Sequence, residues 1–74
     1  MRLDDLQTGQ KAKIVSINAS QTLKERLYSF GILPNEIVEV KAHSIAKQTI
    51  EIDIEGTLIA LRAKEAHKIE VELI

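Results

Sequence analysis

The 74-residue sequence contains no cysteine, no tryptophan, one proline, three glycines, one tyrosine and one phenylalanine. Without thiols, disulfide staples, thiolate zinc sites, iron–sulfur ligation and a cysteine nucleophile are excluded, and a reducing cytosol suits the chain. With so few aromatic rings it cannot build the groove that proline-rich peptides need. Charge of one sign is lacking too: 10 Lys and Arg stand against 11 Asp and Glu, a net charge of −1. Without a basic run, that balance removes the electrostatic footprint on which nucleic-acid binding depends, RNA included. Apolar runs such as Leu58 to Leu61 fall far short of the ~20 residues that cross a bilayer, and Met1 to Asp5 lead into no signal-peptide stretch. The expectation is a soluble, cytoplasmic protein with no membrane insertion.

A chain this short forms one domain, residues 1–74, around one core, with no volume to spare for a large cavity or a buried cofactor. No GxGxxG, P-loop, GxSxG or Ser/His/Asp arrangement is present, and Gly9, Gly31 and Gly56 are isolated from one another. Catalysis needs a cleft with converging polar groups. The chain reads as a non-enzymatic interaction module with no cofactor and no metal.

What is abundant is β-branched apolar residues: 11 Ile and 4 Val, which favour pleated, half-buried surfaces. A turn at Gln7–Gln10 precedes a strand over Lys11–Ile17. Thr22 with Glu25 makes a capping-box pattern, with Ser20 a competing cap, and Leu23, Leu27 and Phe30 recur as one helical stripe. Gly31 suits a left-handed cap and Pro34 bars continuation. From Glu36, the alternation of Val38, Val40 and Ala42 with Glu39, Lys41 and His43 marks a second strand, leaving Ile37 on the polar face. After Ser44–Gln48, Ile50, Ile52 and Ile54 alternate with Glu51, Asp53 and Glu55 as a third. A two-residue Glu55-Gly56 loop would pair Ile52 with Ile59 and Ile50 with Leu61, whereas a bulged turn would shift the register and bury Leu58 and Ala60. A helical turn at Ala63–His67 precedes a fifth strand on Ile69, Val71 and Leu73. Five short strands around a tiny core imply a mostly β fold, a small SH3-like barrel with one short inserted helix, because closure removes exposed edges.

Few groups are placed for chemistry. His43 and His67, 24 positions apart without paired ligand spacing, read as surface histidines rather than metal ligands. Glu51, Asp53 and Glu55 share a strand face and would form a hard-cation site only by meeting Glu70 or Glu72. Arg26 and Tyr28 lie on the outer side of the helix, and Ile32 and Leu33 follow its stripe, where apolar area is expected to remain exposed. These four are the candidate partner-binding residues, since Tyr, Arg and large apolar groups concentrate binding energy in small interfaces.

Taken in order, Leu3-Asp4-Asp5-Leu6 with Thr8-Gly9-Gln10, the run from Leu23 to Ile32, Gly56 to Arg62 with Glu65-Ala66, and Ile69-Glu70-Val71 resemble the FeoA family over nearly the whole chain. The resemblance implies an SH3-like barrel acting as a small cytosolic accessory of FeoB, the membrane protein that imports ferrous iron. At the family level it carries an association with transition-metal binding. It also implies kinship with the C-terminal module of iron-dependent repressors, although no helix-turn-helix is present to deliver a role on DNA. Asn35 stands where the family commonly has glycine, and asparagine tolerates the left-handed conformation that turn needs. Ser44–Thr49 lacks the proline and glycine often found there.

Overall fold

The computed structural model describes residues 1–74. It comprises a 3-10 turn at Leu3–Asp5, strand β1 (Lys11–Ile17), helix α1 (Gln21–Ser29), β2 (Ile37–His43), a 3-10 turn at Ile45–Lys47, β3 (Thr49–Ile54), β4 (Thr57–Arg62), helix α2 (Ala63–Ala66) and β5 (Ile69–Leu73). The strands form one antiparallel sheet in the order β4-β3-β2-β1-β5. It wraps a single cluster of 16 buried apolar side chains. The five-stranded SH3-like layout expected from the sequence is present. Its ladder stays open between β4 and β5, which do not pair with each other.

Two bulges decide which side chains reach that core. In β1, Ala12 and Ile14 point inward, the register against β5 shifts between Ile14 and Ser16, and Ile17 is buried next. Val15, exposed, is the extra residue of this shift, and Ile17 rather than Ser16 takes the next core position. In β2 the shift falls between Val40 and Ala42, which corrects the simple alternation: Ala42 is exposed and His43 turns inward, half-buried. A bulge adds one residue to one strand, so every side chain beyond it changes face. His43 Nε2 lies 2.8 Å from the Leu6 carbonyl oxygen, tying β2 to the N-terminal segment.

The β3–β4 hairpin takes the two-residue loop. Ile52 pairs with Ile59 and Ile50 with Leu61, and Leu58 is 58% exposed. Glu55 and Gly56 both have positive φ, 52° and 85°, the signature of the turn whose twist matches that of the strands. The Gly56 N–H donates to Asp53 Oδ1 at 2.9 Å and locks it.

Candidate functional site

Helix α1 begins one residue after Ser20, whose Oγ accepts the Leu23 N–H at 3.3 Å. Ser20 is therefore the cap, and the Thr22–Glu25 box does not form: with Ser20 extended, Gln21 opens the helix and Leu23, not Glu25, occupies the position the cap bonds. Glu25 instead accepts from Gln21 Nε2 at 3.3 Å, four residues back.

The end of α1 reorders the expected stripe. Ile32 N–H donates to the Leu27 carbonyl at 3.1 Å and Gly31 N–H to that of Tyr28 at 2.9 Å, with Gly31 left-handed at φ 87°. This six-to-one and five-to-two bond pair is the Schellman motif, which folds the residue after the glycine back against the last turn. Ile32 consequently packs into the core with Leu27, both fully buried, and cannot belong to an exposed partner surface. Phe30, placed in the core stripe by its spacing, is 42% exposed at the helix cap. The sequence signal for this exchange is Gly31 itself, whose left-handed turn redirects the chain.

Tyr28, Phe30 and Leu33 are thus the apolar groups left facing outward near the helix exit. Arg26 does not stand free beside them. Its Nη1 lies 2.5 Å from Glu65 Oε2, and its guanidinium carbon sits 5.7 Å from the centre of the Phe30 ring. Glu65 also accepts the Arg62 N–H at 3.0 Å. Burial pushes the Glu65 carboxyl up, but the Arg62 N–H and the Arg26 guanidinium outweigh it and hold the group below its ordinary value. Beyond Leu33 the chain turns through Asn35 at φ 76°, whose N–H bonds the Ile14 carbonyl at 2.7 Å, so asparagine keeps the left-handed turn.

The polar candidates are dispersed. Glu51 and Asp53 are separated from Glu70 and Glu72 by the intervening strands β2 and β1. Asp53 and Glu55 instead edge an open groove of about 540 Å³ with Glu36, Glu39 and Lys11. No three His, Asp or Glu side chains converge on a point that would hold a metal ion. His67 Nδ1 lies 3.1 Å from Asp4 Oδ2, whereas His43 contacts the Leu6 carbonyl, so the two histidines have separate partners in the N-terminal segment.

Comparison with known proteins assigns this scaffold. The FeoA domain family model matches residues 1–73. A Campylobacter jejuni protein provisionally named Fe(2+) transport protein A is 42% identical over 74 residues, the full length of both chains. A Porphyromonas gingivalis fusion of Fe(2+) transport protein A with the Fe(2+) transporter FeoB is 31% identical over the whole of this chain, which spans 9% of that protein. The solution structure of iron(II) transport protein A from Clostridium thermocellum superposes with a TM-score of 0.95 at 34% identity, covering all of this chain and 46% of that one. FeoA from Stenotrophomonas maltophilia, complexed with zinc and described as a procaryotic SH3 domain protein, gives 0.85 at 25% identity over 97% and 89% of the two chains. T. acidophilum IdeR shares the fold alone, with 20% identity and a TM-score of 0.88 over 34% of its chain.

Proposed function

This chain belongs to the FeoA family of ferrous iron transport, and we propose that it is a non-enzymatic accessory which docks on the cytosolic region of a FeoB-like transporter. The observation that carries the reading is the Porphyromonas gingivalis relative, in which a segment similar to this chain and FeoB form one polypeptide. Fusion holds two modules at high effective concentration, an arrangement that favours their working in contact. No helix of this chain is long and apolar enough to cross a membrane, so the reading has it work from the cytoplasm against the transporter's soluble part.

The docking surface is the exit of α1, where Tyr28, Phe30 and Leu33 are exposed and the Arg26 guanidinium lies against the Phe30 ring. Ile32 serves by packing beneath. Exposed aromatic and aliphatic groups with one guanidinium among them have the composition that gives small interfaces their affinity. The acidic residues Glu51 and Asp53 of β3 bring little of that.

The test is a pull-down with the cytosolic region of the cognate FeoB, each variant first shown to be folded. Tyr28→Ala and Leu33→Ala are expected to weaken capture, and Glu51→Ala and Asp53→Ala to leave it unchanged. Loss of capture only in the β3 variants overturns the surface assignment. No capture of the wild type overturns the docking role.

A further inference from the structure

The two edges of the sheet are treated differently. On β5, Arg2 bridges to Glu70 and the Val71 N–H donates to the Met1 carbonyl at 2.8 Å, so the N-terminal segment covers that edge. Nothing pairs with the outer side of β4. The Ile54–Thr57 pair closes the two-residue turn, so Ile59 and Leu61 direct their N–H and C=O groups at β3, while Leu58 and Ala60 direct theirs outward. Arg62 would be the next outward residue, but its N–H is taken by Glu65. The window Leu58–Ala60 carries no proline, no charge and no bulge, the devices that ordinarily blunt an open edge.

We propose that β4 is a self-association edge, on which a second copy of this chain pairs antiparallel about a two-fold axis at Ile59. In that register Leu58 of each copy faces Ala60 of the other. Each such pair exchanges two backbone hydrogen bonds, and the exposed Leu58 side chain covers Ala60. Charge favours the second copy as occupant. The closed end of the hairpin carries Asp53 and Glu55, whereas its open end carries Arg62, which with Lys47 and Lys64 lines an open groove free of carboxylates. None of these three cations is in an ion pair within the chain. Antiparallel pairing sets Arg62 of one copy opposite Gly56 of the other and beside its Glu55, so each basic end meets an acidic end at both sites of the two-fold. The surface at α1 takes no part, so this proposal stands or falls apart from the docking role.

Sedimentation equilibrium of the 74-residue chain, from about 10 µM to about 1 mM, tests it, because an interface this small gives a weak dimer. The average mass is expected to rise from 8.3 kDa toward twice that value. Ala60→Pro removes an outward N–H without touching the β3 ladder and should hold the chain monomeric. Glu55→Lys should weaken association at least tenfold, and adding Arg62→Glu should restore it, because the two-fold brings the swapped charges together again. The charge-swap pair keeps the test decisive if Ala60→Pro does not fold. A wild type monomeric across the range overturns the proposal, as does a dimer indifferent to both Ala60→Pro and Glu55→Lys.

Discussion

The Glu65 carboxylate on α2 accepts a 2.5 Å hydrogen bond from the guanidinium of Arg26 on α1, 39 residues earlier in the chain, and this contact joins the two helices. Glu65 is nearly buried and Arg26 half-exposed, so the pair is asymmetric: the acid depends on the base for its satisfaction more than the reverse. Arg26 thereby serves the fold as well as the candidate docking surface.

Removing Arg26 leaves a desolvated carboxylate with the Arg62 N–H as its remaining partner. Arg26→Ala is expected to lower stability by about 1–2 kcal/mol, less than for a fully buried pair because water reaches the guanidinium. Urea denaturation measures this, and an unchanged midpoint would show that the contact contributes nothing.

The same contact sets a pH dependence. A carboxyl whose folded-state value lies below its ordinary 4.5 contributes stability that is present above that value and disappears as pH falls through the folded value. The gap in melting temperature between wild type and Glu65→Gln should therefore shrink as pH is lowered from about 7 to about 3. A gap constant over that range contradicts the assignment.

The hairpin register makes a paired prediction. Ile52 is fully buried and Leu58 is 58% exposed. Ile52→Asp strands an unpaired carboxylate in the core and should cost several kcal/mol, whereas Leu58→Asp should cost under about 1 kcal/mol. Similar losses in thermal melts of the two variants would show that the register is wrong.

Much of this fold was legible. The run Ile50, Ile52, Ile54 followed by Glu55-Gly56 specifies strand, turn and register together, because the two-residue turn admits one pairing and the alternation agrees with it. The misplaced side chains share one cause: a single backbone irregularity moves residues that periodicity assumes to be regular. The β2 bulge exchanged Ala42 and His43, and the turn at Gly31 exchanged Phe30 and Ile32. Of the candidate docking residues, Tyr28 and Leu33 are exposed as expected, whereas Ile32 is buried and Phe30 takes the exposed position given to it. The Arg26–Glu65 contact joins residues too far apart in sequence for any local pattern to reveal.

That exchange is itself testable. Ile32→Ala should cost about 2–5 kcal/mol, the range for emptying a buried aliphatic site, and Phe30→Ala distinctly less despite its larger side chain. Chemical denaturation of the two variants decides it, and a larger loss for Phe30→Ala would return the phenylalanine to the core.

The proposal that this chain docks on a FeoB-like transporter through the exit of α1 is tested most directly by titrating the ¹⁵N-labelled protein with the transporter's cytosolic region and following every backbone amide. The account predicts that the amides of Tyr28, Phe30 and Leu33 shift or broaden first while those of Glu51 and Asp53 hold still. Perturbation confined to β3 and its turn, or none at all at saturating transporter, would contradict it.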